Sequence, residues 1–208
     1  MRIICLLLVF FGLGGATACE PVPGTPTPPI TTTTTPPDNN GTHVVFGDSL
    51  AWQALNYRGT GRQEFLGRTW FVYPGDGVAQ RRGELIYSMI AKPAVLTIAL
   101  GTNDAGHWDG RDGWTLDDQG VWQEILSHRG PDTKVVIVLP HIQLGTVATE
   151  QDLASTELAR GWLAEQSGVT VIDWRTYAAP GVLGDDGVHV APGMEGVRYQ
   201  ATVAGDPL

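Results

Sequence analysis

Apolar residues fall along this chain in short runs, cut by glycine, proline and acidic turns, and the runs follow two different periods. Val44-Val45-Phe46 opens at His43 and stops at Gly47. Ala94 to Leu100 is continuously apolar apart from Thr97 and stops at Gly101, Lys134 to Leu139 is closed by Pro140, and Val169 to Trp174 follows later. Runs of this length and composition read as buried strands, with Phe71-Val72-Tyr73 as a further short strand ending at Pro74-Gly75-Asp76-Gly77. Between them the spacing turns helical. Leu50 to Leu55 favours a helix, and Val78 to Ala91 gathers Leu85, Ile86, Met89 and Ile90 on one side before Pro93 stops it. Trp114 to His128 holds a helix around Val121, Trp122, Ile125 and Leu126. Glu150 to Gln166 forms another, and Gly193 to Ala204 closes the chain.

Strands buried on both faces and alternating with helices predict an α/β fold: a three-layer α/β/α sandwich around a central parallel sheet, flavodoxin-like in plan. Ligands on such sheets bind beyond the carboxyl ends of the strands, so the residues directly after each strand are where chemistry is expected.

Bulk composition narrows the function classes. The chain has 208 residues, 42% hydrophobic and 17% charged, enough for one ordinary core and not two. A net charge of −9 without any basic run argues against a nucleic-acid partner, and the acidity reads as solubility. Both cysteines, Cys5 and Cys19, precede the apolar and helical pattern. Neither a disulfide nor a cysteine-ligated metal is therefore expected to hold the folded part together.

The first 42 residues read as an address and a spacer. Met1-Arg2 followed by apolar Ile3 to Leu13 is too short to span a bilayer and fits a signal peptide over residues 1–18, ending in the small-x-small site Ala16-Thr17-Ala18. Cys19 comes next, as in a bacterial lipoprotein signal, although Ala16 stands where such signals usually carry Leu. The expectation is lipidation at Cys19 and a membrane tether, with a plain cleaved signal and an incidental cysteine as the alternative. Either way the protein is exported, to the outer face of the cell membrane or into the medium. Residues 19–42 are rich in Pro and Thr and read as an extended linker, which leaves 43–208 as the folded domain.

The strand ends carry the candidate chemistry. Gly47-Asp48-Ser49-Leu50 follows the first strand, Gly75 lies between Pro74 and Asp76 after the second, and Gly101-Thr102-Asn103-Asp104 follows the third. Asp186-Gly187-Val188-His189 precedes the last helix. Ser49 at a strand-to-helix turn suits a nucleophile whose attack creates an oxyanion, and it equally suits a helix cap. Asn103 alone would pass for a turn residue.

In this order the four blocks resemble the SGNH (GDSL-type) hydrolase family over nearly all of residues 43–208. The resemblance implies Ser49 as nucleophile, His189 as its base and Asp186 as the carboxylate that orients the imidazole, with Asp185 as a rival. It also implies an oxyanion hole from the backbone N–H groups of Ser49 and Gly75 and the side-chain amide of Asn103, with Gly77 as the runner-up glycine. The reaction implied is cleavage of a carboxylic ester through an acyl-enzyme, with no cofactor and no metal. Asp104, Asp109, Asp112, Asp117 and Asp118 fit no EF-hand spacing. Export points to an ester of the cell envelope, an O-acetylated glycan or a lipid. Thioesterase or lysophospholipase-type chemistry and a non-catalytic envelope-binding lipoprotein stand as alternatives.

Four other histidines compete with His189, and of these only His107 has an aspartate, Asp104, three residues before it. His43 opens a strand and His128 ends a helix, whereas His107 and His141 follow strands as pocket or surface residues. The Gly-rich loop Ala105 to Trp114 carries Trp108 and Trp114, which either stack on substrate or pack beneath the loop.

Overall fold

Among the described residues six strands and six α-helices follow one another along the chain. They run β1 (His43–Gly47), α1 (Ser49–Ala54), β2 (Gly61–Phe65), β3 (Arg68–Val72), α2 (Val78–Ile90), β4 (Val95–Ala99), α3 (Thr102–Ala105), α4 (Leu116–Ser127), β5 (Lys134–Leu139), α5 (Glu150–Ala164), β6 (Thr170–Asp173) and α6 (Glu195–Val203). The computed structural model describes residues 42–55, 61–65 and 67–205. The expected signal peptide, Cys19 and all of the Pro/Thr linker except Thr42 lie outside the described residues. Among the described residues no helix is long and apolar enough to cross a membrane.

The sheet runs β2-β3-β1-β4-β5-β6. All neighbours are parallel except β2, which pairs antiparallel with β3. Side chains alternate across a strand, so each central strand feeds two cores. Val44 and Phe46 of β1, Leu96 and Ile98 of β4, and Val135 and Ile137 of β5 pack with Val78, Leu85 and Met89 of α2, Trp122 and Ile125 of α4, and Leu163 of α5. The intervening residues face the other layer. Val45 packs with Ala51 of α1 and with Leu55 just beyond it, while Ala99 and Val138 pack with Leu50, Trp174 and Ala201 of α6. Two helical layers around one sheet follow directly from that alternation.

Three details differ from the sequence reading. Strand β2 was not expected, because Gly-Arg-Gln-Glu-Phe has no β-branched residue, and it is extended because β3 supplies its partner edge. Burial on both faces holds for β1, β4 and nearly all of β5, but β6 is only half-buried because it ends the sheet. The last helix begins at Glu195, and Gly193 lies in the preceding turn with φ +87°.

Candidate active site

Register brings the strand ends to one level. Gly47 pairs with Val72 on one side and Ala99 on the other, and the Tyr73 N–H donates to the Gly47 carbonyl at 3.0 Å. The segments carrying Ser49, Gly75 and Asn103 therefore leave the sheet side by side. At the end of β1, Asp48 caps α1 by accepting the Leu50 N–H at 3.0 Å, so the cap that could have explained Ser49 is provided by its neighbour. A Cβ on Gly47 would lie 2.2 Å from the Ala51 Cβ, so only glycine lets α1 start this close to the strand.

Ser49, His189 and Asp186 form a chain of hydrogen bonds. The Ser49 Oγ lies 3.0 Å from His189 Nε2, and His189 Nδ1 lies 2.7 Å from Asp186 Oδ2. A carboxylate opposite Nδ1 fixes the tautomer with the proton on Nδ1, leaving Nε2 to accept from the serine hydroxyl. The other Asp186 oxygen accepts the N–H groups of Val188 and His189, each at 2.9 Å. Partial burial pushes the Asp186 carboxyl up, but these N–H groups and the imidazole outweigh it and hold the group below its ordinary value. Asp185 is exposed and contributes its backbone carbonyl to the Thr146 N–H.

The His189 loop is clamped from two sides. The segment after β5 donates from Gln143 to the Gly187 carbonyl at 2.8 Å and from Ala148 to the Asp186 carbonyl at 3.0 Å. From the helix that Ser49 begins, Gln53 accepts the Val190 N–H at 3.0 Å.

Beside Ser49 lies an open cleft of about 480 Å³, lined by Pro74, Gly75, Asn103, Trp108, Val188 and His189. Gly75 has φ +85°, a conformation that favours glycine and turns its peptide at the cleft edge. Asn103 is 8% exposed, and its Nδ2 donates to the Asp76 carbonyl at 3.0 Å, leaving a second amide hydrogen. Gly77, the runner-up glycine, spends its N–H on Gln80 Oε1 at 2.9 Å at the start of α2.

No protein-family model and no curated protein sequence matches the chain. Solved structures do. A protein described as a GDSL-like lipase from Parabacteroides merdae superposes with a TM-score of 0.60 at 16% identity, over 82% of this chain and 98% of that one. The acetylxylan esterase of Geobacillus stearothermophilus gives 0.60 at 15% identity over 82% and 96%. The catalytic domain of the Streptococcus pneumoniae peptidoglycan O-acetyltransferase gives 0.56 at 18% identity over 80% and 89%. The fold is the SGNH-hydrolase fold.

Within this SGNH fold the remaining candidates sort by what they touch. Trp114 is an anchor, buried against Trp162 at a centroid distance of 5.8 Å, whereas Trp108 lines the cleft. His128 is exposed at the end of α4, and His43 is buried against the Thr97 hydroxyl at 2.8 Å. His141 lies in a separate groove with Glu150 and Glu157; burial and then Arg160 push its imidazole down. His107 does meet an aspartate, Asp152 Oδ1 at 3.0 Å, which spacing could not reveal because it lies 45 residues away on α5. Asp104 accepts the Val78 N–H on both oxygens, and burial, opposed by that bond, pushes its carboxyl up to about 7. Val147 is a further cleft residue that the sequence did not single out; it follows β5, a position where the strand-end rule would have pointed.

Proposed function

We propose that this chain is an exported serine ester hydrolase acting through an acyl-enzyme. The observation that carries the reading is the Ser49–His189–Asp186 hydrogen-bond chain at 3.0 and 2.7 Å, opening onto a cleft that also holds Gly75 and Asn103. His189 Nε2 takes the Ser49 proton as Oγ attacks the ester carbonyl, and Asp186 stabilises the imidazolium that forms. The tetrahedral oxyanion is met by the N–H groups of Ser49 and Gly75 and by the second amide hydrogen of Asn103. His189 then protonates the departing alcohol, and a water activated by the same imidazole releases the acid.

The substrate class we propose is an ester of the cell envelope, an O-acetylated glycan or a lipid ester, reached from a tether at Cys19. Export is read from the first 18 residues, and the apolar cleft walls of Pro74, Trp108, Val147 and Val188 suit an acyl group. Similarity of fold to an acetylxylan esterase supports the acetyl arm.

The test is hydrolysis of p-nitrophenyl esters of increasing chain length, with Ser49→Ala alongside and a fluorophosphonate probe for Ser49. Turnover that vanishes in Ser49→Ala, together with labelling of Ser49, is the expected result. Preference for acetate favours the glycan arm and preference for long chains the lipid arm. A folded protein that neither turns over any ester nor takes the label would instead be an envelope-binding module.

A further inference from the structure

The loop between α3 and α4 touches the site at two points whose chemistry has a direction. An indole N–H donates and never accepts, so the Trp108 Nε1 found 3.3 Å from the Asn103 amide has to meet its oxygen. On the other side of the same amide stands the Asp76 carbonyl, which only accepts, at 3.0 Å from Nδ2. Turning the Asn103 amide over would set donor against donor at Trp108 and acceptor against acceptor at Asp76. Trp108 and Asp76 thus leave Asn103 one orientation, with its oxygen on the indole and its NH2 on the Asp76 carbonyl.

Three residues further along, Arg111 donates from Nη2 to the Gly75 carbonyl at 2.5 Å. That contact fixes the peptide following Gly75 at the residue whose positive φ makes the turn. One loop therefore binds Asn103 through Trp108 and Gly75 through Arg111, while Asn103 and the Gly75-Asp76 turn bind each other. The network closes on itself.

The loop is built to hold this shape. His107 donates its backbone N–H to Asp152 Oδ1 at 2.6 Å, with its ring Nδ1 on the same oxygen, and the Trp114 N–H donates to Ser155 Oγ at 2.7 Å. Both anchors sit on α5. A Cβ on Gly106 would fall 2.3 Å from the six-membered ring of Trp108, so the indole folds back over residue 106 only because that residue is glycine.

We propose that Trp108 and Arg111 are positioning residues of the oxyanion hole, with Trp108 setting the orientation of the Asn103 amide and Arg111 holding Gly75. The proposal rests on the reading of Asn103 and Gly75 as oxyanion donors. It assigns the loop a role in kcat rather than in substrate affinity alone, because a donor misaimed at the oxyanion is felt in the transition state.

The experiment measures kcat and KM for p-nitrophenyl acetate with the full chain. Its variants are Ser49→Ala, Asn103→Ala, Trp108→Phe, Arg111→Met and the Trp108→Phe/Asn103→Ala double. Trp108→Phe keeps the ring and removes only the N–H. It and Arg111→Met should each lower kcat about tenfold with KM within about twofold of the parent. The double variant should be no slower than Asn103→Ala, since the indole acts only through that amide.

Parental kcat in Trp108→Phe, or losses that multiply in the double variant, overturn the role of Trp108. Parental kcat in Arg111→Met overturns that of Arg111, and it does so at a half-buried loop position even if Trp108→Phe fails to fold. Turnover surviving in Ser49→Ala or unchanged in Asn103→Ala overturns the underlying reading of the site. Losses in both of those with a parental Trp108→Phe defeat the Trp108 assignment alone.

Discussion

Gln53, on the helix that Ser49 begins, grips the backbone of Val190, the residue after His189. Its Oε1 accepts the Val190 N–H at 3.0 Å, and its Nε2 faces the Val190 carbonyl at 3.4 Å. The pair spans 137 residues of sequence and joins the serine's element to the histidine's loop, so the 3.0 Å contact between Ser49 and His189 depends on it. Gln53→Ala should lower kcat about tenfold, equivalent to ~1.4 kcal/mol, through looser alignment of the two groups. Thermal unfolding should change little. Gln53→Glu keeps the acceptor and loses the donor, and should fall between. Steady-state kinetics on p-nitrophenyl acetate that leave all three equal would remove Gln53 from the argument.

Asp186 accepts three N–H groups, and only one belongs to the imidazole. Asp186→Asn should therefore keep the loop, since the amide oxygen can still accept from Val188 and His189. Its NH2 then faces His189 Nδ1 and favours the tautomer with the proton on Nε2, which cannot take a proton from Ser49. We expect kcat to fall by roughly 10³–10⁴ with the unfolding midpoint nearly unchanged. Activity within a factor of about ten of the parent would show that the carboxylate does not set the tautomer.

Asp104 gives stability a pH dependence of known sign. Its carboxyl is pushed from 3.8 up to about 7 by burial, opposed by the Val78 N–H. The folded protein thus retains a proton that the unfolded chain releases near pH 4. This group's contribution is full below that point and is lost as the pH rises to about 7, by up to roughly 4 kcal/mol. Asp104→Asn has no such proton and should gain on the parent between pH 5 and pH 8. Urea unfolding at the two pH values checks it, and parallel shifts in both proteins would exclude Asp104 as the source.

Next to Ser49 in the chain, Asp48 is buried within reach of the charge of buried Arg198. Burial pushes the Asp48 carboxyl up and the Arg198 guanidinium down to about 10, and each is partly offset by the other. Arg198 also lies over the Trp174 ring at 4.9 Å. Arg198→Met leaves the Asp48 carboxyl buried without its cation, which should cost about 3 kcal/mol in urea unfolding. Asn at position 48 retains a capping oxygen, so Asp48→Asn in the Arg198→Met background should recover part of that loss. A double variant less stable than Arg198→Met would show that the two do not act as a pair.

The tether is tested separately. Cys19→Ser in the producing cell should move the protein from the membrane fraction to the medium. A parent protein already found in the medium would show that Cys19 carries no lipid.

Local spacing was enough for much of this protein. The apolar runs of β1, β4 and β5 declare buried strands because burial on both faces leaves no polar alternation, and the helical spacing of Val78 to Ile90 declares α2. The contact between Asp186 and His189 was also legible, since three residues in one turn can meet without help from the rest of the fold. Packing decided what spacing could not. β2 is a strand only because β3 offers it an edge, and Trp108 and Trp114, six residues apart in one loop, part company because α5 buries the second beside Trp162. The partners of Gln53 and His107 lie 137 and 45 residues away, and no periodicity encodes a contact between separate elements. Sequence determined the strands that carry apolar runs and which residue types end them. Tertiary structure alone decided which ends stand together, because register between strands is set by the packing of both layers at once.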